Sequence, residues 1–309
     1  LYAAVADEEA GGRYGAEYLV REHPDAVRCD YLVTESGGFP LPSPTGLRLP
    51  YLADEKGPLW ATMTVRGTAG HGSMPFRTDN ALVKADDAVR RLGEYRSRTR
   101  IDDAWRGFVE GLGIPAELAA PLLEEDGFAE AIEMLPLGVS KMAYSCTHTT
   151  ITPTVLTTGH NTNVIPDEVT IKLDVRVLPG DGPDEVRAMI DDALGDLAAG
   201  DSIELSFPHP EDVATTSPQS SPLVDSLQRT ASAFYPGATL LPMRMVGTTD
   251  ARHFRRRLGT AAYGFGLFSQ ELGLDDIATM AHGDNERVDV ESLEMCTDFW
   301  EALARDFVG

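Results

Sequence analysis

The sequence lacks several features that define whole classes of proteins. Its apolar runs fall short of the roughly 20 residues that cross a bilayer, so no membrane-spanning segment is predicted. Positive charge is scarce, because 26 Lys and Arg stand against 49 Asp and Glu, giving a formal net charge of -23. Nucleic-acid binding needs a basic surface. We therefore expect neither a membrane nor a nucleic acid as a partner.

Cysteine is also scarce. Cys29, Cys146 and Cys296 are odd in number and far apart, so neither a disulfide framework nor a paired-cysteine zinc site is predicted. Isolated thiols are typical of a reducing compartment, and we expect a cytoplasmic protein. An export signal upstream stays an open alternative, because the sequence begins with Leu1 rather than Met.

Two common catalytic motifs are missing. The run from Gly70 to Ser73 does not match the nucleophile elbow of serine hydrolases, so a serine hydrolase has no motif to support it. A glycine-rich phosphate loop of either common type is absent as well.

The hydrophobic pattern predicts an α/β fold in two parts. At the beginning, Leu1–Ala6 and Tyr31–Thr34 are expected as strands with a short helix between them, the alternation typical of a parallel sheet. Helix and strand patterns of the same kind return after residue 215, beginning with a helix predicted from Pro222 to Phe234. We therefore predict a discontinuous domain made of 1–55 and 215–309, interrupted by a smaller domain.

The smaller domain, 56–214, is predicted to be a ferredoxin-like α/β sandwich. Its clearest element is Glu168–Leu178, where apolar and polar residues alternate as in a half-buried antiparallel strand. The other periodic segments complete the order β-α-β-β-α-β. Residues 96–150 lie inside this unit and are predicted to be a helical insertion.

Three glutamates follow predicted strands. Glu8 and Glu9 come directly after the first, and Glu35 comes directly after Tyr31–Thr34. Carboxylates at the C-terminal edge of a parallel sheet lie where α/β proteins bind ligands, and a divalent cation would relieve their mutual repulsion. The alternative, that they are solvated loop or capping acids, stays open for each residue taken alone.

Other polar residues stand in loops or on strands where they could bind a ligand. His282 lies in a polar, glycine-containing loop that suits a zinc ligand, and His71 lies in a run of small residues directly after a strand. Arginine suits a bidentate grip on a carboxylate. Taken singly, each candidate could equally be a surface or structural residue. These remaining candidates are Asn163, Arg176 and Arg252.

The order of these segments resembles one family throughout the chain, namely the aminoacylase, carboxypeptidase G and succinyl-diaminopimelate desuccinylase family of co-catalytic zinc peptidases (M20). The resemblance rests on ordered motifs. These are Ala6-Asp7-Glu8-Glu9-Ala10-Gly11-Gly12, Glu35-Ser36-Gly37, Gly67–Pro75, Asn163-Val164-Ile165-Pro166, Asp174-Val175-Arg176, Thr249-Asp250-Ala251-Arg252 and His282-Gly283.

The resemblance implies a metal-dependent amidohydrolase or peptidase that cleaves an amide bond next to a free carboxylate. It implies that 1–55 and 215–309 form the catalytic domain and that 56–214 is a lid that forms a homodimer. The substrate would be a small peptide or an N-acyl amino acid.

The resemblance also implies a role for each candidate residue. Glu8 is expected to be the general base, Glu9 and His282 ligands of one zinc ion, and Glu35 a ligand of the other. His71 is expected to complete the partner subunit's site and steady the oxyanion. Asn163, Arg176 and Arg252 are expected to hold the substrate's carboxylate or carbonyl.

One departure from the family pattern is evident. The family has a histidine in a His-x-Asp motif and then a metal-bridging aspartate, both before the Glu-Glu pair, whereas the sequence as given begins only seven residues ahead of Glu8. We therefore expect the chain as given to lack a normal two-metal centre and to be inactive. An alternative from another class is a metal-free binding or dimerisation scaffold derived from the same family.

Overall fold

Two units share the chain in alternating segments. The computed structural model describes residues 1–159, 161–271, 273, 280 and 283–309. Unit 1 consists of 1–55, 99–147 and 215–309, and unit 2 consists of 56–98 and 148–214. Each unit has a hydrophobic core of its own.

The strands are numbered along the chain. They are β1 (Tyr31–Thr34), β2 (Leu41–Ser43), β3 (Gly46–Glu55), β4 (Gly57–Pro58), β5 (Ala61–Arg66), β6 (Gly70–His71), β7 (Thr150–Thr158), β8 (Val164–Ile165), β9 (Glu168–Val177), β10 (Ile203–Ser206), β11 (Thr215–Thr216), β12 (Thr239–Met245) and β13 (Ala261–Gly264).

The helices are numbered in the same way. They are α1 (Ala16–Glu22), α2 (Pro24–Val27), α3 (Ala81–Glu94), α4 (Asp103–Gly111), α5 (Ala116–Ala119), α6 (Phe128–Glu133), α7 (Leu137–Thr147), α8 (Pro183–Leu194), α9 (Pro222–Phe234), α10 (Ala251–Leu258) and α11 (Val290–Val308), with 3-10 turns at Glu8–Ala10, Ala120–Leu122 and Gly195–Ala199.

Unit 2 has the predicted ferredoxin-like topology. Its four long strands lie in the order β10-β5-β9-β7, and all their pairings are antiparallel. The apolar side chains of β9 alternate into a core that also contains residues of α3 and α8. The clean alternation of Glu168–Val177 therefore reflects a strand with one face buried against two helices.

The sheet of unit 1 is organised around β3. This strand pairs in parallel with β12 and antiparallel with β2, β11 and β13, and β1 runs parallel to β13. Helices α9 and α11 contact each other, and their apolar residues join the core that includes Phe265 and Phe299. The bounds predicted for α9 are confirmed: Pro222 occupies its first turn, and Ser221 caps it by accepting a hydrogen bond from the Val224 amide.

Two sequence-based expectations for unit 1 differ from the structure. Leu1–Ala6 is exposed and forms no strand, so the predicted opening strand is wrong. Within the described ranges no strand pairs with this segment, and a segment without a ladder partner or a packing surface does not hold extended sheet structure. Strand β3 was not predicted, because Pro50 interrupts its pattern and its burial on both faces removes the alternation.

The helical insertion packs with unit 1. From the sequence we expected this insertion, 96–150, to lie within the smaller domain. In the structure, residues 99–147 belong to unit 1 and share a hydrophobic core cluster with Leu241 of β12. Arg48 of β3 also donates a hydrogen bond to the carbonyl of Gly111 in α4, at 2.8 Å. The difference arises because a contact far along the chain leaves no trace in local periodicity.

Candidate functional site

Glu8 and Glu9 lie in a tight 3-10 turn rather than at the end of a strand. The amides of Ala10 and Gly12 both donate to the carbonyl of Asp7, at 3.1 and 2.7 Å. Gly11 and Gly12 have φ values of +107° and +70°, which non-glycine residues adopt only at a cost. The turn ends just before α1, so the start of this helix and the two acids are held by the same short stretch of chain.

Glu35 lies directly after β1, as predicted. The chain then turns through Gly37 and Gly38, both with positive φ. A Cβ on Gly38 would lie 1.8 Å from the carbonyl oxygen of Gly266, so the backbone after Glu35 approaches the segment after β13 at a distance that only glycine permits. This close approach fixes the position of Glu35 on the sheet.

The acids of unit 1 form one electrostatic cluster. Partial burial, reinforced by the negative charges of Glu35, Asp250 and Glu9 and opposed by Arg252, raises the pKa of Glu8 to about 7. Burial also raises the pKa of Glu35, reinforced by Asp250, Glu9 and Glu55.

Sequence reasoning missed two members of this cluster. Burial raises the pKa of Asp250 to about 6, with contributions from Asp7 and Glu55 and opposition from Arg252. Asp250 stood in the motif beside Arg252, and Glu55 ends β3 just as Glu35 follows β1. Recognition of β3 as a strand would have identified Glu55 as a further acid at a strand end.

A buried network connects Glu55 to the turn that carries Asp250. The hydroxyl of Thr249 donates to Oε1 of Glu55 at 2.5 Å and accepts from the amide of Ala251 at 3.2 Å. Arg255 lies 3.0 Å from Oε2 of Glu55 and offsets part of its negative charge. Because the pair is almost fully buried, it fixes the start of α10 beneath the acidic cluster.

Arg252 and His253 connect the start of α10 to the turn of Glu8 and Glu9. Nη2 of Arg252 donates to the carbonyl of Gly11 at 2.8 Å, and Nε2 of His253 lies 3.1 Å from the same oxygen. Arg252 is only 5% exposed, and its Nη1 donates to the hydroxyl of Thr248. The predicted contact between Arg252 and a substrate carboxylate stays a prediction.

His71 and Asn163 lie together in unit 2. Strands β6 and β8 form a two-stranded ladder, and the amide of Gly72 donates to the carbonyl of Asn163 at 2.7 Å. Nδ1 of His71 lies 2.8 Å from the hydroxyl of Ser73, and the side chains of His71 and Asn163 are exposed. The structure therefore brings together two residues that are distant in sequence and that the resemblance assigns to substrate contact.

Arg176 lies near the other end of β9. Its guanidinium makes two hydrogen bonds with Asp174, at 2.7 and 3.2 Å, and stands 5.8 Å from the ring centroid of Trp60. Strand β9 begins at Glu168, close in sequence to Asn163. Eight residues of extended chain, about 26 Å, separate Glu168 from Arg176. A substrate carboxylate at Arg176 would have to compete with Asp174.

The residues needed for a metal centre are only partly described. Glu9 and Glu35 supply oxygen donors, and a cation would relieve the repulsion in their cluster, whereas His282 lies outside the described residues. Across the part of the chain that the structure describes, no group of three His, Cys, Asp or Glu side chains is arranged to hold a metal ion. Those residues therefore do not form a complete metal centre by themselves.

Comparison with known proteins identifies the family. Residues 54–202 match the peptidase dimerisation domain of M20 peptidases. The chain is 25% identical to the probable carboxypeptidase S-like 2 of Dictyostelium discoideum, over 99% of its length. It is 26% identical to the N-fatty-acyl-amino acid synthase/hydrolase PM20D1 of Xenopus tropicalis, over 97% of its length.

The chain therefore resembles the M20 peptidase family and contains its dimerisation domain. It spans 58% of the length of each of these two curated relatives. Solved structures show the same fold. One is the M20 family metallo-carboxypeptidase Sso-CP2 from Sulfolobus solfataricus, with a TM-score of 0.60 at 17% sequence identity. The structural match covers 97% of this chain and 67% of that protein. The di-peptidase Dug1p from Saccharomyces cerevisiae has a TM-score of 0.62 at 14% identity, covering 97% and 64%.

Among the described residues, none of the helices combines the length and the apolar character that a membrane span needs.

Proposed function

We propose that the protein containing this chain is a metal-dependent amidohydrolase or peptidase that cleaves an amide bond next to a free carboxylate. Resemblance to the M20 family supports this proposal. The matching relatives are named as a carboxypeptidase, an N-fatty-acyl-amino acid synthase/hydrolase and succinyl-diaminopimelate desuccinylases. The proposed substrate is accordingly a small peptide or an N-acyl amino acid.

The observation that carries the proposal is the electrostatic environment of Glu8. Its pKa of about 7 lies where a general base works best at neutral pH, because the carboxylate is available and still binds a proton strongly. In the proposed reaction, Glu8 takes a proton from the water that attacks the amide carbonyl. It then gives this proton to the leaving nitrogen as the C–N bond breaks, which regenerates the carboxylate.

The proposed cofactor is zinc, with Glu9, Glu35 and His282 among its ligands. Zinc normally takes three or four protein ligands, so Glu9 and Glu35 alone are insufficient. His282, the third proposed ligand, lies outside the described residues.

Four residues are proposed to contact the substrate. In unit 2, His71 and Asn163 share one exposed ladder end, and His71 is proposed to steady the oxyanion. Arg176 and Arg252 are proposed to hold the substrate carboxylate, a task that suits the planar guanidinium. Arg176 now donates a hydrogen bond to the carboxylate of Asp174. A substrate carboxylate that binds Arg176 would therefore replace Asp174 as its hydrogen-bond partner.

The proposed partner is a second copy of the chain, bound through unit 2. Its match to a peptidase dimerisation domain supports this proposal. Strand β7 pairs on one side with β9, and within the described residues its other edge has no strand partner. Val155 and Leu156 of β7 are 53% and 44% exposed, so the edge offers both backbone groups and apolar surface for association.

The proposed location is the cytoplasm. The three cysteines, Cys29, Cys146 and Cys296, are all free thiols in the structure, which supports a reducing compartment.

The experiment that tests the function compares Glu8→Gln with the unchanged protein on a panel of dipeptides and N-acyl amino acids. Glu8→Gln is expected to reduce kcat at least about a hundredfold, the usual contribution of a general base, without unfolding the protein. Glu294→Gln removes an exposed carboxylate from α11 and serves as the matched control. Amidation of the substrate's carboxylate should abolish turnover, and equal turnover of the amidated compounds would contradict the proposed specificity.

A metal-free dimerisation scaffold is the second candidate. The match of residues 54–202 to a peptidase dimerisation domain is the observation that favours it. A scaffold would self-associate without showing hydrolysis on any compound of the panel, even with zinc supplied.

A further inference from the structure

The turn of Glu8 and Glu9 is attached to α10 through one carbonyl group. A carbonyl oxygen has two lone pairs, and that of Gly11 accepts from Nη2 of Arg252 at 2.8 Å while Nε2 of His253 lies at 3.1 Å. Because a carbonyl cannot donate, Nε2 of His253 must carry the proton in this contact. Two consecutive residues of the first turn of α10 therefore hold the same backbone atom.

The neighbouring glycine leaves no room for a different arrangement. A Cβ on Gly12 would lie 2.3 Å from Oδ1 of Asp250 and 3.0 Å from Nε2 of His253. Gly12 also has a φ of +70°, so a side chain there would be strained as well as crowded. The backbone of the turn is thus pressed directly against the side chains at the start of α10.

Burial makes these contacts strong determinants of position. His253 is 6% exposed and Arg252 is 5% exposed, so water does not readily replace either donor. Behind them, Ala16 and Val20 of α1 pack against Phe254 of α10 in one apolar cluster. The apolar contact joins the two helices, whereas the polar contact determines where the turn before α1 lies.

We propose that His253 is a positioning residue that, together with Arg252, fixes the turn carrying Glu8 and Glu9 through the carbonyl of Gly11. The catalytic consequence rests on the proposed function, since it concerns the placement of Glu8 relative to the substrate. The local ordering of the turn does not depend on that function and can be measured without turnover.

The test is hydrogen–deuterium exchange on His253→Ala, His253→Gln and the unchanged chain, with the global stability of each measured in urea. In His253→Ala, the amides of residues 8–15 are expected to exchange roughly tenfold faster, the factor that corresponds to loss of one buried hydrogen bond. Exchange in β3, β12 and β13 should remain unchanged. His253→Gln keeps an N–H donor at similar reach and should restore slow exchange in the turn.

Glycine variants test the same contact from the other side. Gly12→Ala should accelerate exchange at residues 8–15 as His253→Ala does. Gly259→Ala is the matched control, because Gly259 has a φ of +71° and no atom within 4 Å of an added Cβ. It introduces the same backbone strain at the end of α10 without crowding, and it should leave the turn unaffected.

Two results would overturn the proposal: unchanged exchange at residues 8–15 in His253→Ala, or an equal increase throughout unit 1 that His253→Gln does not reverse. In the protein that contains this chain, His253→Ala should lower kcat about tenfold with KM nearly unchanged, since displacement of a second-layer partner typically costs at least this factor. If the unchanged protein hydrolyses no substrate, the proposed function fails, and the exchange data alone decide the role of His253.

Discussion

Arg244 and Asp54 form a buried ion pair between the neighbouring parallel strands β12 and β3. Nε and Nη2 of Arg244 donate to Oδ2 of Asp54 at 2.9 and 2.7 Å, and the Arg244 side chain is 4% exposed. The same guanidinium donates to Asp102, the cap of α4, and to the carbonyl of Cys146 in α7. One side chain therefore joins the sheet of unit 1 to both ends of the helical insertion.

Loss of this guanidinium should be strongly destabilising. Arg244→Ala leaves Asp54 buried without its partner, and we expect the free energy of unfolding to fall by about 3–5 kcal/mol. Urea denaturation measures this change. Arg305→Ala removes an exposed arginine paired with Glu301 on α11 and should have no comparable effect; similar losses in the two variants would show that burial is not the cause.

The packing of the insertion against β12 predicts a local response to Leu241→Ala. Leu241 is 2% exposed and belongs to the core cluster of Trp105 and Phe108, so truncation should cost about 2–5 kcal/mol. Limited proteolysis should then cut preferentially within 99–147. Leu227→Ala is the control, because it makes the same change in the other large core of unit 1. Preferential cleavage of 99–147 in both variants would contradict the packing.

The acidic cluster predicts an unusual pH dependence for the metal-free chain. The pKa of Glu8 is raised from 4.5 to about 7 and that of Asp250 from 3.8 to about 6. A raised pKa means that the folded state binds the proton more tightly, so the stabilisation is fully present below about pH 4 and is lost as the pH rises to about 7.

Urea midpoints at about pH 5 and about pH 8 test this prediction. The midpoint of the unchanged chain should fall between these pH values more than that of Glu8→Gln or Asp250→Asn, which cannot acquire the charge. Glu294→Gln should behave like the unchanged chain. Equal pH dependence in all four proteins would mean that the acids do not interact as the structure implies.

The edge of β7 predicts where self-association can be disrupted. Val155→Lys places a charge on the exposed edge strand and should weaken a dimer by at least about tenfold, because a buried unpaired charge is costly at an interface. Analytical ultracentrifugation measures the dissociation constant. Ser206→Lys makes a comparable change on β10, the strand at the other edge of the same sheet, and should leave association intact. A reversed result would place the interface on β10.

Resemblance to the family also predicts sharing of sites between subunits. His71→Ala and Glu8→Ala should each reduce activity, and a mixture of the two variants should recover part of it if His71 acts in the partner subunit's site. At most one native site forms in such a mixed dimer, so recovery should stay near a quarter of the unmixed activity or below, as random pairing dictates. No recovery after exchange of subunits would contradict sharing.

Local sequence determined much of the secondary structure. The alternation of Glu168–Val177, the proline-initiated helix Pro222–Phe234 and the strand Tyr31–Thr34 were predicted closely, because each carries its burial pattern or its cap within a few residues. The position of Glu35 after a strand could be predicted for the same reason. The order of motifs was sufficient to indicate the family.

Only the tertiary structure decided the remaining features, because each depends on contacts between distant segments. An apolar segment such as Leu1–Ala6 has strand character but needs a neighbouring strand, and β3 is recognisable mainly through its four partners. The insertion at 99–147 packs with β12 through residues about a hundred positions away. Likewise, no local pattern encodes the electrostatic effect of Asp250 on the pKa of Glu8, which depends on the distance between two charges. The same is true of the hydrogen bond between His253 and the carbonyl of Gly11.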